Sequence, residues 1–126
     1  FISVRFRYCY TLKSLDISNF DTSNVIGMGY MFYCCFWLES LDLSHFDTSN
    51  VISMHRMLGG CSRLTSLDLS GWDMRNVNYE NSRQMFWGTG NLKTIKMIGC
   101  DSETIIKIKD ALRDNNMLDR VTIITE

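Results

Sequence analysis

The sequence predicts an α/β solenoid of about four to five stacked coils. A parallel strand ladder forms one face, short helices form the other, and a helix–strand cap closes the C-terminal end. Three observations predict it. A motif recurs at a period of about 26 residues. Each copy opens with apolar and polar residues in alternation, as a short strand requires. Each copy then spaces its apolar residues by three and four, as one face of a helix requires.

The copies begin at Leu12, Leu38, Leu64, Leu92 and Leu118, in steps of 26, 26, 28 and 26 residues. The first three read Leu12-Lys-Ser-Leu15-Asp16-Ile17-Ser18, Leu38-Glu-Ser-Leu41-Asp42-Leu43-Ser44 and Leu64-Thr-Ser-Leu67-Asp68-Leu69-Ser70. Leucines of this pattern point inward, and Ser14, Asp16 and Ser18 point outward. The run Asp21-Thr22-Ser23-Asn24, repeated as Asp47-Thr48-Ser49-Asn50, supplies turn and capping side chains. Val25, Met28, Met31, Phe32 and Cys35 then form the apolar stripe. The two extra residues of the third step fall between Val77 and Met85.

One such unit cannot bury its own apolar face, whereas stacked units can, with Leu12, Leu38, Leu64, Leu92 and Leu118 above one another in a common core. Residues 1–126 form a single repeat domain. Residues 1–11 are a partial repeat, in which Phe6 and Cys9 align with Phe32 and Cys35. Residues 12–37, 38–63 and 64–91 are full repeats, and 92–126 are a degenerate repeat with the cap. In the cap, Asp101 or Ser102 starts a helix whose inner stripe is Ile105, Ile108 and Leu112. Lys107, Lys109, Asp110 and Arg113 face out, and the strand Val121–Ile124 follows.

A net charge of −1, without a run of like charge, does not predict nucleic acid as a partner. No stretch approaches the roughly 20 apolar residues of a membrane helix, so the fragment is not expected to insert into a membrane. The chain opens on Phe1 without a leader, as expected of a piece trimmed from a longer protein. Cys9, Cys34, Cys35, Cys61 and Cys100 contain no C-x-x-C pair, so neither a zinc ribbon nor a thioredoxin-like motif is predicted.

The run L-x-x-L-D-L-S-x-F-D-T-S-N-V-x-x-M-x-x-M-F-x-x-C resembles the BspA-like leucine-rich repeats of bacterial surface proteins. The resemblance covers nearly the whole chain and is most specific over residues 12–72. It implies a right-handed leucine-rich-repeat-type solenoid, cell-surface or secreted, that binds host or microbial macromolecules. It implies no catalytic residues.

Comparison among the copies separates frame from variable surface. The outward strand residues Ser-Asp-Ser recur in three copies, whereas the ridge after each apolar stripe changes throughout. It reads Arg7, Tyr8, Tyr10, Thr11, then Tyr33, Cys34, Phe36, Trp37, then Gly59, Gly60, Ser62, Arg63, then Trp87, Gly88, Gly90, Asn91. The neighbouring pairs Gly29–Tyr30, His55–Arg56 and Arg83–Gln84 change as well. Rigid aromatics with small adaptable polar residues are the chemistry of recognition surfaces.

The candidate ligand-binding residues are therefore Arg7, Tyr8, Tyr10, Tyr30, Tyr33, Phe36, Trp37, His55, Arg56, Arg63 and Trp87. They are expected to flank a small step at Gly59–Gly60 and to meet a protein or glycan ligand, with no cofactor. The competing expectation is that some of these aromatics only pack on a neighbouring repeat. A structural spacer within a larger surface protein is the alternative role.

Other constellations favour structural readings. Asp16, Asp42 and Asp68 should stack about 5 Å apart, screened by serines and solvent, with Lys96 continuing the row. A bound cation is disfavoured there because no calcium-loop spacing occurs. Asp21, Asp47, Asp73 and Asp101 fit capping of backbone N–H groups better than paired-carboxylate catalysis. Cys9, Cys35 and Cys61 fit small inward-facing positions, Cys100 fits the core, and Cys34 is the candidate exposed thiol. His45 and His55 have no nucleophile beside them in a recognisable motif, so the chain is not expected to be an enzyme.

Overall fold

Leu41, Leu67 and Ile95 are each buried between two more exposed polar neighbours, and each is the centre of a three-residue strand. In the computed structural model, which describes Phe6 and residues 11–126, the chain is α/β. It forms β1 (Ser40–Asp42), β2 (Ser66–Asp68), α1 (Tyr79–Ser82), β3 (Thr94–Lys96), α2 (Ser102–Asp114) and β4 (Thr122–Ile124). The four strands make one parallel sheet in the order β1-β2-β3-β4, so sheet order equals chain order. The register pairs equivalent repeat positions at the first two junctions, Leu41 with Leu67 and Leu67 with Ile95; at the third, Ile95 pairs with Ile123 rather than with Val121, so the expected last step of 26 residues is corrected to 28.

The row of first leucines is only partly a common core. Leu38, Leu64 and Leu92 are buried and Leu118 is half-buried, but Leu12 is 39% exposed. Residues 14–16 form no strand, and among the described residues the ladder reaches this copy through Glu39 N–H to the Lys13 carbonyl. Five copies thus give four strands among the described residues.

Short helices were expected opposite the sheet, and this expectation is corrected. Residues 25–35 and 51–61 are turns, with one parallel bridge between Gly27 and Ser53. Alternate N–H groups leave the segment altogether. Met28, Tyr30, Phe32 and Cys34 donate to the carbonyls of Ser53, His55, Met57 and Gly59, at 2.7–3.0 Å. The intervening Met31, Tyr33 and Cys35 close local turns onto Met28, Tyr30 and Phe32. The next copy repeats this, with Met54, Leu58 and Gly60 donating to Asn81, Met85 and Trp87.

The ladder requires left-handed residues at fixed places. Tyr30, Arg56 and Gln84, equivalent in the repeat, have φ of 59°, 50° and 58°. Cys34, Gly60 and Gly88 form a second such row at 62°, 77° and 78°. A side chain held at positive φ costs of the order of 1–3 kcal/mol, and the cross-repeat hydrogen bonds hold it there. The two-residue insertion is the one place in these turns where a helix appears, as α1, capped by the Asn78 side chain on Asn81 N–H.

The Asp-Thr-Ser-Asn run works as a set of clamps. Asp21 and Asp47 accept from the N–H and hydroxyl of Ser23 and Ser49 two residues on, closing turns rather than capping helices. Thr22 is buried and accepts from Asp47 N–H while donating to the Asp47 carbonyl; Thr48 does the same with Asp73. Asn50 and Asn76 donate back to the Ser23 and Ser49 carbonyls. Of the aspartates in this row, Asp101 alone is a helix N-cap, accepting from Thr104 N–H at 2.7 Å.

The helix α2 was expected, with its cap and strand. It buries Thr104, Ile108, Ala111 and Leu112, with Ile105 half-buried. Lys107, assigned to the outer face, instead reaches back to the Met74 and Arg75 carbonyls. The core itself is continuous from Ile17 to Val121, with Phe32, Phe86 and Trp72 its largest buried side chains. No helix among the described residues is long and apolar enough to cross a membrane.

Candidate functional site

The constant face is the sheet. Asp42 and Asp68 stand in register with Lys96, as the repeat alignment required. Asp16 and Asp42 each accept from a serine hydroxyl and N–H two residues on, and these bonds hold both carboxyls below their ordinary range. The Ser23 and Ser49 bonds do the same for Asp21 and Asp47. Asp73 is held down to about 2 by hydrogen bonds from the Arg75 side chain and backbone. These carboxylates are therefore ionised and occupied by local donors, which suits them to turn geometry rather than proton transfer.

The variable side divides into two groups. In the first, the backbone conformation shared by Tyr30, Arg56 and Gln84 places three chemically different side chains at one repeat position. Tyr30 lies edge-on to Tyr33 at 5.1 Å between centroids and to His55 at 5.7 Å. The Arg56 guanidinium lies over the Trp87 ring at 5.0 Å and donates from Nε to Gln84 Oε1 at 2.7 Å. Trp87 is 44% exposed.

The glycine step is filled rather than open. Gly59 is buried, and a Cβ there would come within 2.9 Å of the Tyr33 ring. Gly60 and Gly88 are equally close-packed: a Cβ on Gly88 would lie 3.0 Å from Gly60 N, and one on Gly60 3.3 Å from Cys34 Sγ. The line Cys34–Gly60–Gly88 foreseen from the repeat is present. Its glycines serve close backbone approach and a seat for Tyr33, not a hollow.

The second group lies toward the strands. Arg63 stacks on Trp37, with its guanidinium carbon 3.8 Å from the ring centroid. Trp37 is 37% exposed and Phe36 is its exposed neighbour. Arg63 also lines a shallow groove with Glu39, Thr65, Asn91 and Lys93. Asn91 belongs to the ridge but not to the candidate set, and Glu39, Thr65 and Lys93 belong to neither. The signal of these three was present: with Lys13 they occupy the second position of L-x-x-L, which differs between copies although the Ser-Asp-Ser positions do not. Arg7, Tyr8 and Tyr10 lie outside the described residues.

The inward-facing reading holds for Cys35 and Cys61, Cys100 is half-buried at the edge of the core, and Cys9 lies outside the described residues. Cys35 and Cys61 are buried, and Cys61 Sγ donates to the Phe32 carbonyl. Burial, reinforced by Cys35, pushes the Cys61 thiol up to about 12. Burial also raises Cys100, whose Sγ donates to the Leu69 carbonyl. Cys34 is half-buried. His45 is exposed and its Nε2 lies 2.7 Å from the Ile17 carbonyl, so its repeat-specific role is a link to the preceding copy.

No curated protein and no solved structure matches the chain. Residues 2–120 do match a family model, described as Mycoplasma protein of unknown function, DUF285, and the chain belongs to that family.

Proposed function

We propose that the chain is a right-handed leucine-rich-repeat-type solenoid of the BspA-like kind, and that it acts as a non-enzymatic binding module at a cell surface or in secreted form. It presents a variable aromatic- and arginine-rich ridge to a protein or glycan ligand. One observation carries the reading: Tyr30, Arg56 and Gln84 share a left-handed backbone conformation at one repeat position, so the frame stays fixed while the displayed chemistry changes. The exposure of Phe36, Trp37 and Trp87 supports it, because apolar rings left at the surface mark interaction sites.

The test is the triple variant Phe36→Ala, Trp37→Ala, Trp87→Ala, probed on a panel of immobilised glycans and extracellular proteins. The wild-type chain is expected to be retained by at least one probe, and the variant is expected to lose that retention with its circular dichroism unchanged. Equal retention of both would reject the ridge.

A spacer role is favoured by a different observation. Leu12 and Phe20 are exposed although their equivalents Leu38 and Phe46 are buried, so one face of the stack offers an apolar docking surface. A spacer requires the ridge to be covered in the parent protein. Acrylamide quenching of Trp37 and Trp87 in that protein separates the two roles.

A further inference from the structure

Glu39, Arg63, Thr65, Asn91 and Lys93 line one shallow groove. The Arg63 guanidinium carbon lies 3.8 Å from the Trp37 ring centroid, a cation–π contact that consumes no N–H donor. Among the described residues, neither Arg63 nor Lys93 forms an ion pair, whereas Arg75, Arg83 and Arg113 all do. Glu39 is likewise without an ion-pair partner, so two cations and one carboxylate line the same groove.

Thr65 and Asn91 are fixed from behind. Thr65 Oγ1 donates to the Glu39 carbonyl at 3.1 Å, and Asn91 Nδ2 donates to the Ser62 carbonyl at 2.7 Å. That leaves the Thr65 hydroxyl oxygen and Asn91 Oδ1 as acceptors. A cation pair, a carboxylate acceptor and two neutral acceptors lining one shallow groove match an acidic sugar. The sugar carboxylate meets Arg63 and Lys93, and its hydroxyls donate to Glu39 and Asn91. A run of acidic peptide fits less well, because Glu39 repels any carboxylate beyond the first.

Resting on the binding-module reading, we propose that this groove binds a carboxylate-bearing glycan, a uronic-acid type of sugar. The probe is a tetragalacturonate oligosaccharide, compared with its methyl ester, which keeps the ring and hydroxyls but removes the charge. Calorimetry on the whole chain is expected to show binding of the acid form, weakened by added salt, and at least tenfold weaker binding of the ester. Arg63→Gln and Lys93→Gln should each weaken binding of the acid by about tenfold, the scale of a charge-assisted hydrogen bond. Arg83→Gln, remote in the sequence repeat and already paired with Glu80, should leave it unchanged.

Equal binding of acid and ester would overturn the proposal. So would unchanged affinity in Arg63→Gln and Lys93→Gln, preferential binding of a tetraglutamate peptide, or no binding of the acid at all. None of these results touches the broader reading, which stands or falls on the Phe36, Trp37 and Trp87 variant.

Discussion

The turns of residues 28–34 and the second half of α2 occupy equivalent places in the repeat, yet they solve the backbone differently. In α2 the N–H groups stay within the segment, and Asp101 caps its first turn. In the turns, every second N–H crosses to the neighbouring copy, and residues at positive φ aim it there. The sequence differences are local. Ile105–Arg113 is rich in good helix formers, whereas Gly29, Tyr30, Tyr33 and Cys34 are weak ones. An apolar stripe at spacings of three and four is therefore compatible with either solution, and the destination of the amide protons decides between them.

The comparison breaks most visibly in the core that both regions share. Phe86→Ala removes a fully buried ring beneath the turn ladder and is expected to cost about 3–5 kcal/mol in urea unfolding. Leu112→Ala under α2 is expected in the range of about 2–5 kcal/mol. Loss of a Leu112 contribution alone would mean that the ladder is not packed as described.

Backbone conformation sharpens it next. Gly88→Ala must accept φ of +78° and a 3.0 Å approach to Gly60 N, and is expected to destabilise by about 2–3 kcal/mol. Gly90→Ala meets nothing within 4 Å and should fall within about 0.5 kcal/mol of wild type in the same thermal melts.

The clamps come third. Thr48→Val strips the buried Asp73 N–H and carbonyl of their partner and should cost about 1–3 kcal/mol. Asp101→Ala removes the α2 cap at about 1 kcal/mol. Hydrogen exchange should localise the second loss to α2 and the first to the rows on either side of Thr48.

Acid gives the smallest effect. The folded state holds the carboxyls of Asp16, Asp21, Asp42, Asp47 and Asp73 below their ordinary values, so they add stability above about pH 4. That contribution is lost as pH falls through the folded values, which for Asp73 lies at about 2. Melting temperature should therefore decline modestly between about pH 4 and 2. Asp73→Asn should flatten that slope slightly, and an unchanged slope would show the Arg75 contact to be idle in solution.

Much of the strand side was legible because strand alternation and repeat phase constrain the same residues. The register Leu41–Leu67–Ile95 follows from the starting points of the copies, whereas β4 sits two residues later than a start at Leu118 implies, with Ile123 and not Val121 opposite Ile95. The cap was legible because Asp101 precedes a stripe, Ile105, Ile108 and Leu112, set among the good helix formers Lys107, Lys109, Ala111 and Arg113. The edge was not, because the alignment treats Leu12 as equivalent to Leu38 although a terminal unit lacks one neighbour. On the site, the sequence identified which positions vary but not how they pair. The Arg63–Trp37 stack, the Arg56–Gln84 bond and the seating of Tyr33 on Gly59 join residues about 26–28 apart, whose side-chain directions depend on the left-handed turns. Glu39, Thr65 and Lys93 were passed over because they flank positions that do not vary.

The identity of sheet order and chain order has a mechanical consequence. A force pulling the two ends apart meets the hydrogen-bonded rows one after another, as a zipper does, and never loads them side by side. Each row that yields releases its own segment and leaves the next still gripped by its clamps. Extension should therefore proceed in small, evenly spaced steps at low force, and slack should return unit by unit when the load is removed.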